Sequence, residues 1–231
     1  MKSTFIHAAR ALINVLELQC NLTSSHCRRV AAYTALLARE LDMPVKEQQR
    51  IYLAGLLHDI GKLGIDSSIL LKPGKLTAAE WEEVKKHPGY SYEILTAIPG
   101  MSLISRAALY HHERYDGCGY PAGLAGKDIP LEARILAVAD SFDAMTSNRA
   151  YRPRMPREAA VKELERCAGT QFDPQLVEIF CRRVVCGGAD FPPLRLAGEV
   201  LGNNRLGAKT TIYTWLEQAV ASGLAATSED F

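Results

Sequence analysis

Apolar side chains recur at helical spacing along most of this chain. Ala8, Leu12, Val15 and Leu16 make one stripe, and Val30, Tyr33, Thr34, Leu37 and Leu41 make a second. Ser24 or Ser25 is the expected cap of that second helix, and Pro44 follows its end. A third apolar segment runs from Ile51 to Ile60. Thr77, with Glu80 three residues on, predicts a capping box opening a helix that carries Trp81, Val84 and His87. Helical patterns also cover roughly 100–112, 132–146, 156–168 and 173–186. Alternation of the strand kind is almost absent, so the expected class is all-α.

Two stretches break the periodicity. Asp116-Gly117-Cys118-Gly119-Tyr120-Pro121-Ala122-Gly123 is too rich in Gly and Pro for either regular element, and Asp190-Phe191-Pro192-Pro193 reads as a boundary. Three regions follow: an N-terminal helix over 1–22, a main domain over 23–189, and a C-terminal extension over 190–231 with one amphipathic helix. Segment 202–210 nearly spells a phosphate-binding loop, but Ala208 separates the second glycine from Lys209 and no strand leads into it.

Composition narrows the classes. Across 231 residues, 27 Lys and Arg face 26 Asp and Glu, a net charge of +1, which argues against a DNA or RNA polymer as partner. At 48% apolar and 23% charged residues, the chain is neither disordered nor a disulfide scaffold. The six cysteines form no CxxC pair and read as reduced thiols of a cytoplasmic protein. His7, Arg10, Asn14 and Glu17 interrupt the apolar stretch Phe5–Leu18, which therefore serves neither as a signal segment nor as a membrane anchor. Two roles are open to the N-terminal helix: packing on the core, or joining two copies as a homodimer.

The chemistry lies in the histidines. His58-Asp59 closes the apolar run Leu53-Ala54-Gly55-Leu56-Leu57, and Asp140 follows Ile135-Leu136-Ala137-Val138-Ala139. A carboxylate in such a setting needs an ion pair, hydrogen bonds or a metal. His111-His112-Glu113 ends a helical segment at the Gly-rich loop, His87-Pro88 lies at a helix end, and His26 lies in the first turn of another helix. Neighbours on a helix point about 100° apart, so ligands must converge from several helices. Five imidazoles and two carboxylates exceed one tetrahedral site and suit two metals sharing a bridging carboxylate, the arrangement that clamps an in-line displacement at phosphorus. Lys62, one turn after His58, can present its ammonium to a phosphate oxygen. Asp143 shares a helix face with Asp140. Gly117 and Gly119 allow positive φ and Pro121 stiffens the exit, so that Tyr120 can stand at the metal mouth, stacking or touching phosphate.

From about Thr23 to about Val185 the chain resembles the HD-GYP family of metal phosphohydrolases. The resemblance rests on His26-Cys27-Arg28-Arg29-Val30, His58-Asp59-Ile60-Gly61-Lys62, Leu71-Lys72-Pro73-Gly74-Lys75-Leu76, Lys86-His87-Pro88, His111-His112-Glu113, Asp116-Gly117-Cys118-Gly119-Tyr120-Pro121, and Val138-Ala139-Asp140 with Phe142-Asp143-Ala144-Met145-Thr146. It implies an HD-domain helical bundle with a Gly-rich GYP-loop extension, and a phosphodiesterase converting cyclic di-GMP to pGpG and onward to GMP. It also implies two divalent ions, commonly Fe or Mn. His26, His58, Asp59 and Asp140 would hold one ion, and His87, His111 and His112 the other, with Asp59 bridging. Asp143 resembles the carboxylate that handles the attacking water or the leaving-group proton. Arg149 and Arg152 match a pair of substrate-phosphate binders, and the loop is linked to GGDEF-domain partners. Some relatives add a third ion through a Glu four residues before the first motif His, where this chain has Leu22. Two alternatives stand beside this reading: hydrolysis of another cyclic dinucleotide such as cyclic GMP-AMP, or a non-catalytic cyclic di-GMP sensor.

Overall fold

The computed structural model describes residues 7–9, 11–15, 21–148 and 154–185. Among these residues there is no strand, and the fold is a bundle of helices. Residues 7–9 and 11–15 are helical, and Ala9 and Ile13 are buried in the main core. Core packing, one of the two roles open to this segment, is therefore realised in the described part.

Helix α1 spans Asn21–Glu40 and α2 spans Val45–Leu57. Ser24 and Ser25 lie inside α1 rather than capping it, the expected division at 22/23 falls in its first turn, and His26 sits in its second. The stripe Val30, Ala31, Leu37 and Ala38 is fully buried, as are Ile51, Leu53, Ala54 and Leu57 of α2, against which α1 packs. A 3-10 turn, Ile60–Gly64, follows α2, and a short helix α3, Ser67–Leu70, is capped by Asp66 accepting from the Ser68 amide.

Helix α4 covers Ala78–Val84 with the expected capping box between Thr77 and Glu80. It stops earlier than the apolar period suggests. His87 opens a separate helix, α5 (His87–Thr96), with Pro88 in its first turn. A proline has no N–H to donate back and crowds the preceding turn, so one continuous helix through Pro88 is disfavoured. Helix α6 spans Ser102–Tyr110 and α7 spans Leu131–Thr146. Helices α8 (Arg157–Arg166) and α9 (Pro174–Ile179) follow, the latter running into a π-helical turn, Phe180–Val185.

Packing brings the polar ends of these helices to one place. Helix α7 lies on α1, α6 lies on α2 and α5, and α5 also covers the 3-10 turn. An edge-to-face trio of Tyr33, Phe142 and Phe180, with ring centroids 5.2–5.8 Å apart, ties α1, α7 and the π turn together. No helix among the described residues is long and apolar enough to cross a membrane. Among the described residues, Cys27, Cys118, Cys167 and Cys181 are in no disulfide. The 189/190 boundary and the extension 190–231 lie outside the described residues.

Candidate metal centre

Four of the five clustered histidines, His26, His58, His87 and His111, are aimed by a bond on Nδ1. Three of them sit at or just past a helix end and turn Nδ1 onto the carbonyl three residues back. His58 Nδ1 lies 2.9 Å from the Gly55 carbonyl, His87 Nδ1 2.7 Å from Val84, and His111 Nδ1 2.7 Å from Ala108. A carbonyl only accepts, so each Nδ1 carries a proton, the tautomer that in a neutral ring leaves the lone pair on Nε2. Those Nε2 atoms point inward. On His87 and His111 they are buried with no hydrogen bond, the condition expected of atoms whose partner is a cation.

The seven expected ligands are brought together. Their donor atoms form the groups His87–His111–His112, His26–His58–Asp140 and His58–Asp59–His111, each within 4.8 Å, and each can hold a metal. Asp59 lies between the first two groups with one oxygen toward each. Its Oδ1 is 3.3 Å from His87 Nε2, and its Oδ2 is 3.4 Å from His58 Nε2. The donor set of imidazoles and carboxylates fits divalent transition ions.

Electrostatics follow the same division. Burial opposes charge on Asp59, yet Lys62 and His58 overcome it and hold its carboxyl well below the usual range. Burial likewise disfavours ionised Asp140, but His26 outweighs it and keeps the carboxylate charged. Burial and neighbouring imidazoles push His111 down, and burial lowers His112 to about 4. Both rings are therefore neutral lone-pair donors. Burial alone would lower His26 too, but hydrogen bonds to Asp140 and Asp143 raise it to about 9.

Asp143, the residue expected to handle a reacting proton, lies against His26 and Arg29. Its side chain is 1% exposed and lies on the opposite edge of His26 from Asp140: His26 Nε2 is 3.1 Å from Asp140 Oδ1, and Nδ1 is 2.7 Å from Asp143 Oδ2. Arg29 donates to both Asp143 oxygens at 2.5 and 2.9 Å, and Ser147 donates at 3.1 Å. With both oxygens engaged, this carboxylate orients His26. Arg29, one turn after His26, was legible as a motif residue but not in this role. Asp143→Asn is expected to weaken metal binding about 10–100-fold, the usual cost of losing a ligand's orienting partner. Titration of metal-stripped protein with Mn at buffered free concentrations checks it, and unchanged affinity would show that His26 needs no such orienter.

Three glycines set the walls. A Cβ on Gly61 would lie 2.1 Å from the His87 carbonyl oxygen and 2.4 Å from the Ser91 nitrogen, so only glycine lets the 3-10 turn meet α5. Ser91 staples the same junction, donating to the His58 carbonyl at 2.7 Å and accepting from the Gly61 amide at 2.9 Å. In the loop, Gly117 has the expected positive φ of 79°, whereas Gly119 is required by closeness instead: a Cβ there would meet the Arg114 nitrogen at 2.3 Å. Buried Glu113 accepts from the amides of Ala122, Gly123 and Leu124 at 2.6–3.1 Å and so fixes the loop. Glu113 and Ser91 were missed as positioning residues, because their partners are irregular backbone that no periodicity announces.

The loop delivers Tyr120 to the mouth, its ring stacked on His112 at 4.9 Å. Lys62 Nζ stands 2.5 Å from Asp59 Oδ2. Arg149 and Arg152 lie outside the described residues, as does the side chain of Leu22.

The bundle and its converging histidines are those of the HD-domain family, to which the chain belongs: the family model, described as an HD domain, matches residues 10–176. Within that family it is of the HD-GYP type. The chain is 43% identical over 173 residues to the "Cyclic di-GMP phosphodiesterase response regulator RpfG" of Xanthomonas campestris, covering 74% of this chain and 46% of that one. It is also 43% identical over 163 residues to the "3'3'-cGAMP-specific phosphodiesterase 3" of Vibrio cholerae, covering 70% of this chain and 35% of that one. Among solved structures it resembles the HDG"Y"P protein Bd1817 from Bdellovibrio bacteriovorus in fold, with a TM-score of 0.58 at 22% identity over 71% of this chain and 52% of that one. The chain thus spans about a third to a half of the length of the curated relatives it matches.

Proposed function

We propose that this chain hydrolyses cyclic di-GMP to pGpG, and then to GMP, at a binuclear metal centre. The carrying observation is Asp59, whose two oxygens face two separate groups of imidazoles. His26, His58, Asp59 and Asp140 would hold one ion, and His87, His111 and His112 with Asp59 the other. Mixed imidazole and carboxylate donors suit Fe or Mn. When bound, such ions supply Lewis-acid polarisation of the phosphodiester and lower the pKa of water.

The chain's own residues do the rest. The water oxygen attaches to phosphorus, the bond from phosphorus to the ribose 3′ oxygen breaks, and that oxygen leaves with a proton, opening the ring to pGpG. The Lys62 ammonium stabilises charge on the phosphoryl oxygens. Tyr120 borders the substrate, Arg149 and Arg152 bind phosphate, and Asp143 with Arg29 holds His26 in register. Cysteines in no disulfide support a reducing, cytoplasmic setting. The Gly-rich loop, held by Glu113, is the surface this reading gives to GGDEF-domain partners.

A second reading, 3'3'-cGAMP as the preferred substrate, is supported by equal identity to the Vibrio cholerae protein of that name. Product chromatography after anaerobic purification and metal analysis separates the two. The expected result is pGpG from cyclic di-GMP at a kcat/KM above that for 3'3'-cGAMP, with two ions per chain. The reverse order would favour the second reading. Tight binding of cyclic di-GMP to metal-loaded protein without turnover would make the chain a sensor.

A further inference from the structure

Trp81 departs from the pattern that suggested it. Its place in the apolar period of α4 puts it toward a core, yet it is 46% exposed. It stands beside the metal mouth. The Trp81 and Tyr120 ring centroids are 6.5 Å apart at 82°, and Tyr120 is in turn stacked on His112 at 28°. Two ring-to-ring steps from a metal-facing imidazole are comparable with the length of a nucleoside rather than of a phosphate. One face of Tyr120 is taken by His112, while Trp81 stands nearly perpendicular to it and keeps nearly half of its surface open.

The platform is held in place. The capping box fixes the start of α4, and Lys72 Nζ clasps both Glu80 oxygens at 2.7 Å, so the residue beside Trp81 is tied to the preceding loop. Lys85, one turn after Trp81, is paired with Glu82 at 2.7 Å and lies 5.9 Å from the Tyr120 ring centre. A rigid exposed aromatic beside a second ring and an ammonium is the combination on which nucleobases stack.

We propose that Trp81 and Tyr120 form an aromatic corner that takes a purine base of the dinucleotide, with Trp81 as the stacking face; this rests on the phosphodiesterase reading above. Loss of one base–aromatic stack raises a dissociation constant about 5–150-fold. Trp81→Ala is expected to raise KM for cyclic di-GMP by that factor with metal content unchanged, and Trp81→Phe to restore most of it. A second measurement does not depend on turnover. Trp81 and Trp215 are the chain's two tryptophans. In the Trp215→Phe protein, GMP is expected to quench the remaining fluorescence and ribose 5-phosphate to leave it unchanged. Quenching by GMP without any hydrolysis of cyclic di-GMP would sustain the corner and sink the enzymatic reading. Normal hydrolysis with an unchanged KM in Trp81→Ala and no quenching by GMP would overturn the corner alone.

Discussion

Replacing Asp59 with Ala is expected to abolish hydrolysis and to leave the protein with less than one metal ion per chain. Losing only the partner that orients a ligand weakens metal binding about 10–100-fold, and Asp59 would itself be a ligand. Its Oδ1 faces His87 and its Oδ2 faces His58, so one substitution takes a donor from both groups. It also removes negative charge from among imidazoles and the Lys62 ammonium, leaving cation to repel cation where metals must bind. Asp59→Asn keeps the shape and removes the charge, and should fail almost as fully. Metal analysis of both variants, with turnover and far-UV circular dichroism on the same samples, separates loss of the site from loss of the fold. Two ions per chain with near-normal turnover would mean that the centre is organised around other residues.

Much of this centre was legible because it violates the apolar pattern locally. His58-Asp59 directly follows seven buried residues of α2, and Asp140 follows a buried run of α7, so each polar group stands out from its own neighbours. The capping box was legible for the same reason, since Thr77 and Glu80 are in contact through sequence alone. What escaped depends on residues far apart in the chain. The helical period puts Asp143 on the face of Asp140, but which group would claim it was set by α1: Arg29 and His26 lie 114 and 117 positions earlier. Apolar periodicity also carries no mark of where a helix stops, which is why the helix of Trp81 and Val84 reads on to His87, whereas α4 ends at Val84 and His87 opens α5. Trp81 shows the converse limit. Its spacing is that of a buried residue, and only the position of the loop bearing Tyr120 reveals that its neighbours leave it open.

Lys62→Ala should give the second large effect, with a different signature: both metals retained, and kcat lower by about 10²–10³-fold, the scale of removing one preorganised electrostatic contact. The side chain is 34% exposed while its ammonium rests on Asp59 Oδ2 at 2.5 Å. It is thus anchored on one side by a candidate bridging carboxylate and partly exposed on the other. Burial would lower its pKa, but Asp59 outweighs that and raises it, so the ammonium stays charged across the neutral range. A fixed positive charge there favours the phosphoryl group most when negative charge builds on its oxygens in the transition state, and hardly favours the ground state. The loss should therefore fall on kcat, with KM nearly unchanged. Lys62→Met, which keeps the aliphatic stem without the charge, should match the Ala variant if charge is the cause. Steady-state kinetics on cyclic di-GMP, with metal content measured in parallel, checks this. Unchanged kcat in both variants would leave Lys62 only as the charge partner of Asp59, whereas metal loss alongside activity would show that it positions the bridging carboxylate rather than the phosphate.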